Sequence, residues 1–420
     1  MKTFKHICLQ LILCLITLFA QQSIFAQAYN AEAFLPPPSG PYKIGTKEIY
    51  LTDSSRHEKY SWSKKYRKMS VKIWYPSDYT PELGYDCYMA TYSTKIIFDI
   101  FKPLGVKKSF LDSTRHFKTH SVCNAPLSTK QDKFPVIIFS SGYYFGIPDL
   151  NSCIMENLAS NGYIVCSLTH PYEQPYVAFP DGKKIYLKKG RTRLAFLQLL
   201  IADWVRPKDK STVEKREAIT RNTLKRLKKF DKALKLWVDD SEFFVKTLID
   251  NCAKNDTFFC KIDTSRIGAL GHSFGGAVAG QLCKNDPRVK AGINIDCFQF
   301  GNVIDNPLTS PFMLIESSTY IDWNIGNEII YSKSNADFYK LSILNSSHFI
   351  FSDASVIPFS NPKNVTDFNG KANGRKTINA TNNFVLHFFD YYLNHDSKSK
   401  KLLEDKFSNS EMIFDYKLKQ

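Results

Sequence analysis

The chain has 420 residues, 43% hydrophobic and 14% aromatic, so it can bury a large core and is not a disordered or low-complexity polymer. Its formal net charge of +16 is unevenly placed: residues 183–235 hold 18 Lys/Arg against 5 Asp/Glu, a local +13, and the remainder is nearly neutral. No nucleic-acid motif accompanies this basic stretch, so no nucleic-acid partner is expected, and the charge points to an anionic surface or a solvated helix pair.

The N-terminus reads as a secretory signal over residues 1–26. Lys2 and Lys5 precede an apolar run from Ile7 to Ala20 that is too short for a membrane span, and Ala26-Gln27-Ala28 supplies small residues for cleavage. Leu13-Cys14 fits a lipid-attachment box poorly, because the residue before the cysteine should be small. The mature protein is therefore expected to be secreted or periplasmic. Export makes disulfides feasible, and Cys252 with Cys260, which flank a polar loop, form the expected pair. The other cysteines of the mature chain sit mostly in apolar runs and are expected as buried thiols. No Cys/His cluster has zinc-ligand spacing, so no metal is expected.

An extended arm, Leu35 to Tyr42, leads into β-forming runs at Ile44–Thr52 and Ser70–Tyr75, as edge strands do. Phe134–Phe139 is a continuous apolar run of the buried-strand type, and Ser140-Ser141-Gly142-Tyr143 follows as a tight turn. A helix is predicted over Ile154–Ala159 and a strand over Tyr163–Leu168. Helical charge patterning then dominates from Arg193 to Asp250. Strands follow at Arg266–Leu270, Ala291–Ile295, Phe312–Ile315 and Lys340–Leu344, with a last helix at Thr381–Leu393. Strand and helix alternate through the second half, which implies a mostly parallel sheet flanked by helices and joined by right-handed crossovers. Residues 27–395 are read as one α/β domain carrying the basic helical insertion 183–235. Residues 396–420 are read as a polar, loosely held tail.

Gly271-His272-Ser273-Phe274-Gly275 has the form G-x-S-x-G. It follows the strand Arg266–Leu270 and precedes small, helix-compatible residues, the setting of a nucleophile elbow. A serine on so sharp a turn needs neighbours without side chains, which the glycines provide. The serine needs a base, and the base needs an orienting acid, in the chain order Ser, acid, His. His348 is the base candidate, in a loop directly after a strand and so at the carboxyl end of the sheet. For the acid, Asp296 ends the first strand after the elbow and Asp322 follows the next. Position does not choose between them, and Glu316 and Asp353 are weaker candidates. The oxyanion hole requires two backbone N–H donors, expected from Phe274, the residue after the nucleophile, and from Tyr143 in the Gly142 turn. No organic cofactor is required by such a site.

These motifs resemble the plasma-type platelet-activating-factor acetylhydrolases and their bacterial relatives. The resemblance runs through Ser39-Gly40-Pro41-Tyr42-Lys43-Ile44-Gly45, Trp74-Tyr75-Pro76, Phe134 to Gly142, Leu158 to Val165, and Gly271 to Gly276. It implies an α/β-hydrolase fold, and an acid taken from the strand directly after the elbow, hence Asp296. It also implies calcium-independent hydrolysis of short or oxidised sn-2 acyl esters of phospholipids. One departure is Ser141, where that family usually has histidine. A generic short-chain carboxylesterase or polyester hydrolase is the nearest alternative, and an inactive lipid- or surface-binding protein the alternative of another kind. The apolar helix predicted over Arg193–Trp204, with basic flanks, reads either as a cover over the site or as a contact with an anionic membrane surface.

Overall fold

The computed structural model describes residues 35–419, apart from 62–64, 80–84, 87, 90–93, 103–105, 115–116, 254–255, 320–322 and 358–368. The expected signal, Cys8, Cys14, Cys87 and Asp322 lie outside the described residues. Among the described residues, no helix is long and apolar enough to cross a membrane.

Thirteen strands are described: β1 (Lys43–His57), β2 (Tyr66–Ser77), β3 (Ser121–Cys123), β4 (Phe134–Ser140), β5 (Ile164–Leu168), β6 (Tyr176–Ala178), β7 (Lys184–Tyr186), β8 (Ile262–His272), β9 (Val289–Ile295), β10 (Phe312–Ser317), β11 (Phe338–Ile343), β12 (Phe407–Ser408) and β13 (Met412–Lys417). Eleven form one sheet in the order β12-β13-β11-β10-β9-β8-β4-β5-β2-β1-β3, and β6 pairs with β7 apart from it. The centre, β5-β4-β8-β9-β10-β11, is parallel throughout. β1, β2 and β13 add antiparallel flanks. This is the mostly parallel sheet that the strand–helix alternation predicts.

Every residue of β4 and β5 is buried, because both faces of the sheet are covered and neither needs polar alternation. The helices are α1 (Thr94–Phe101), α2 (Lys108–Thr114), α3 (Ser152–Ser160), α4 (Lys189–Trp204), α5 (Val213–Arg226), α6 (Lys228–Ala253), α7 (Phe274–Asn285), α8 (Ile325–Lys333), α9 (Gly374–Asn394) and α10 (Ser397–Leu403). On one face Trp237 and Phe244 of α6, Ala277 and Val278 of α7 and Ile329 of α8 share a core with Val136, Ile138 and Ile267. On the other, Ile154 and Leu158 of α3 and Phe388 and Phe389 of α9 share one with Ile137, Phe139 and Ile293.

Two expectations need correcting. Residues 396–420 are not a loose tail. Asp396 caps α10 by accepting from the Lys398 and Ser399 amides, and β13 then pairs antiparallel with β11 over Met412–Lys417. Phe414 is buried against Tyr339, Phe384 and Phe407, so a few apolar side chains in a polar sequence suffice to anchor it. Cys252 and Cys260 are not bridged. Their sulfurs are thiols, and the Cys260 thiol instead donates to the Cys252 carbonyl at 3.2 Å, satisfying a group at the end of α6.

Candidate active site

The site lies where the parallel strands end. Ser273 stands between β8 and α7 at φ 57°, ψ −136°, a strained conformation for a residue with a Cβ. Its glycine neighbours permit the turn: a Cβ on Gly271 would stand 1.9 Å from the Gly275 carbonyl oxygen, and one on Gly275 would stand 1.9 Å from that of Ser140. The Ser273 amide donates to the Ile295 carbonyl at 2.8 Å, and the Asp296 amide to Ile315 at 2.7 Å. Each strand end therefore holds the loop that leaves its neighbour.

Asp296 and His348 come together: His348 Nδ1 donates to Asp296 Oδ2 at 2.8 Å. The other Asp296 contacts are from Ser317, whose amide donates to Oδ1 at 2.7 Å and whose hydroxyl donates to Oδ2 at 2.9 Å. A second layer fixes the aspartate's own loop, since Asn294 accepts from the Cys297 amide at 3.1 Å and donates to the Cys297 carbonyl at 3.1 Å. The His348 loop is gripped by Ser318, whose hydroxyl accepts from the Ser346 amide and donates to its carbonyl, both at 3.1 Å.

His272, the variable residue of the elbow, is buried, with its ring centre 5.0 Å from that of His348. Burial, and then the neighbouring His348, push its pKa down to about 3. It is neutral at pH 7, and its Nε2–H donates to the His348 carbonyl at 3.2 Å.

Glu316 and Asp353, the weaker acid candidates, serve elsewhere. Glu316 accepts from Asn327 at 2.9 Å, and Asp353 accepts from the Ser152 and Cys153 amides at 2.9 and 3.1 Å. Burial pushes each of these carboxyls up to about 7.

Phe274 is the first residue of α7, so its N–H has no intrahelical acceptor by position. Gly142 lies against Ser273: a Cβ there would stand 3.2 Å from Ser273 Cβ and 3.4 Å from its Oγ. Tyr143 follows Gly142 in the chain and lines the same cavity as Ser273. The Tyr143 ring packs in an aromatic cluster with Phe230, Trp237 and Phe274. Ser141 is buried and accepts from Gln174 at 2.8 Å.

A cavity of about 400 Å³ opens onto Ser273 and His348. Phe145, Phe196, Phe230, Phe298, Phe300 and Phe349 dominate its walls, and no lysine or arginine is among the described residues that line it. The helix α4 supplies Phe196, Leu199 and Leu200, so it covers the cavity as the lid reading expects. Its other face is open: Leu194, Leu197, Ile201 and Trp204 are exposed, Trp204 at 86%. No group of acidic, His and Cys side chains suited to a metal occurs among the described residues.

Sequence reasoning did not find His272, Asn294, Ser317 or Gln174 as site residues. The spacing of a strand-end loop carries no signal for which distant side chain will support it.

The family model described as platelet-activating factor acetylhydrolase, isoform II, matches residues 27–409. A platelet-activating factor acetylhydrolase from Cavia porcellus is 22% identical over 404 residues, 90% of this chain and 84% of the relative. One from Canis lupus familiaris is 24% identical over 309 residues, 71% of this chain, and the match spans 63% of that relative's length. Among solved structures, a ferulic acid esterase from Streptomyces cinnamoneus superposes with a TM-score of 0.65 over 90% of this chain and 98% of its own, at 24% identity. At that identity the likeness concerns the fold.

Proposed function

The chain belongs to the platelet-activating factor acetylhydrolase, isoform II, family, and from that premise we propose that it is a serine hydrolase of carboxylic esters. The observation that carries the reading is the His348–Asp296 bond of 2.8 Å beside a strained elbow serine, at the mouth of one apolar cavity. Ser273 Oγ attacks the ester carbonyl carbon and His348 Nε2 takes its proton. Asp296 holds the Nδ1–H tautomer and stabilises the imidazolium. The amides of Phe274 and Tyr143 receive the oxyanion. When it collapses, the alkoxide leaves with the proton held by His348, and an acyl ester stays on Ser273. Water, deprotonated by His348, then releases the acid and restores the serine.

The preferred substrates in this reading are phospholipid esters with a short or oxidised sn-2 acyl chain. The support is the family and a cavity with mostly aromatic walls that hold no lysine or arginine among the described residues, which suits an acyl group and leaves a charged headgroup at the rim. The open apolar face of α4, set among basic residues, is proposed to rest on anionic lipid surfaces. A soluble short-chain ester or polyester is the second reading, favoured by those same aromatic walls. Export depends on the signal reading of residues 1–26, and the mass of the mature protein tests it.

A fluorophosphonate should label Ser273, and Ser273→Ala should lower ester turnover by several orders of magnitude while the fold persists. Retention of more than about a tenth of the activity would mean that another residue attacks. Absence of both labelling and turnover in the folded wild type would favour a non-catalytic lipid-binding protein. Comparing a short-acyl phospholipid with a soluble ester of the same acid separates the two substrate readings.

A further inference from the structure

The loop after β4 passes over Ser273 and must offer its amide in a fixed place, yet it is not part of any helix or sheet ladder. Its polar groups go to the loop after β5. Gln174 Nε2 donates to Ser141 Oγ at 2.8 Å and to the Gly142 carbonyl at 3.5 Å. Two residues further on, the Tyr144 amide donates to the Glu173 carbonyl at 3.0 Å. Both loops carry a non-glycine residue in the left-handed region, Tyr144 at φ 68° and Tyr172 at φ 73°. Such conformations persist only where the surroundings over-determine them.

The Gln174 amide is itself anchored. Its Oε1 accepts from the His170 amide at 2.8 Å, so turning the amide over would set N–H against N–H on that side and its oxygen against the Gly142 carbonyl on the other. His170 stacks on Trp237 with ring centres 3.9 Å apart, and its Nδ1 donates to Asp240 Oδ2 at 3.0 Å. Asp240 is held by Arg67 at 2.7 Å and Arg56 at 3.0 Å, and Arg67 also reaches Glu58 at 2.8 Å. Burial favours a neutral His170, outweighing its Asp240 partner, so its Nε2 is left as an acceptor 3.4 Å from the Ser140 hydroxyl. Ser141, His170, Gln174 and Asp240 are all buried, and an unsatisfied member of such a network costs more than its bond contributes.

From this geometry we infer that Gln174 is the positioning residue of the oxyanion loop, fixing Ser141 and Gly142 from a buried ion-pair anchor so that the Tyr143 amide stays beside Ser273. The inference rests on the serine-hydrolase reading. Gln174 does not line the cavity, so its role belongs to the transition state and not to substrate binding.

The test uses the full mature protein and a soluble short-chain ester. Gln174→Ala and Gln174→Glu both remove the donor, and Ser141→Ala removes one of its two acceptors. For the two Gln174 variants kcat should fall about tenfold to a hundredfold with KM within about twofold, and Ser141→Ala should lie between them and wild type. A trifluoromethyl ketone, whose carbonyl becomes an oxyanion on adding to the serine, should bind more weakly by the same factor as kcat/KM falls. Tyr163→Phe removes a half-buried bond of 2.6 Å to Asp390 in α9 and controls for lost stability, since it should lower the melting temperature and leave kcat unchanged. Unchanged kcat in both Gln174 variants, or a raised KM at constant kcat, would overturn the inference. If one variant does not fold, the other two decide it. Fluorophosphonate labelling of Ser273 in wild type is measured alongside. Its absence would reject the serine-hydrolase reading, whereas labelling with unaffected variants would reject only the role of Gln174.

Discussion

Asp296 receives three hydrogen bonds, from His348 and from both the amide and the hydroxyl of Ser317. Asparagine at this position keeps the size but sets an N–H₂ against one of these donors, and it favours the wrong imidazole tautomer. Asp296→Asn should therefore lower kcat by roughly 100- to 10,000-fold with little effect on KM, while Asp322→Asn should leave turnover nearly unchanged. Kinetics of both variants with a soluble ester check this. A second prediction at this scale concerns Glu316. Its folded pKa, raised by burial to about 7, exceeds that of the unfolded chain. Between about pH 4.3 and 7 the native state then binds more protons than the unfolded one, so stability falls as pH rises through this window and levels above it. Asp353 adds to the same slope. Glu316→Gln should raise stability at pH 8 by roughly 1–3 kcal/mol and change it much less at pH 4, as measured by denaturant unfolding at the two values. Ser273 and His348 are legible in the sequence because each is marked locally, by an elbow motif and by a loop directly after a strand. Asp296 is not so marked. Choosing it over Asp322 takes the family resemblance, because the pairing of acid with base crosses 52 positions. The supports Ser317 and Gln174, 21 and 33 positions from the groups they hold, are invisible to spacing for the same reason.

The helix α4 illustrates what a sequence can say of an element. Its apolar character and basic flanks are plain, but the residues that turn inward follow only from its packing against α5 and α6. The Gln198 side chain accepts from the Lys229 amide at 2.9 Å, which sets the roll of α4 relative to the start of α6. With that roll, Phe196 and Leu199 face the cavity, and Leu194, Leu197, Ile201 and Trp204 form an outward stripe at helical spacing. Part of the basic charge nearby is already matched, as in Arg221 with Glu217 and Lys215 with Asp209. Lys225, Arg226 and Lys228 are exposed. If these groups meet lipid, each basic side chain near the surface adds roughly 1 kcal/mol of attraction. Exposed charges are screened beyond about 10 Å at 0.1 M salt, so vesicle binding should weaken as salt rises. Charge reversal at Lys225, Arg226 and Lys228 should reduce sedimentation with anionic vesicles, and Trp204→Ala should reduce it at every salt concentration. Neither should change hydrolysis of a small soluble ester. Equal, salt-insensitive binding to neutral and anionic vesicles would leave the basic residues as a solvated face.

At the scale of the whole molecule, the sheet is not complete until its last strand is in place. β11 carries the loop that bears His348, and its outer edge is covered by β13, with Phe414 buried beneath Tyr339. The C-terminal segment read from sequence as loose is thus a structural edge, held by six paired positions from Phe338 opposite Lys417 to Ile343 opposite Met412. A chain ending at residue 405 should expose an apolar strand edge, with self-association and loss of turnover as the outcome in size-exclusion and esterase assays. The same feature sets a rule of timing. A ribosome makes the elbow serine, the aspartate and the histidine well before it makes Met412–Lys417, and the tunnel conceals that strand for a time after it is made. The nascent chain should accordingly stay catalytically silent until β13 has left the tunnel and closed the edge of β11.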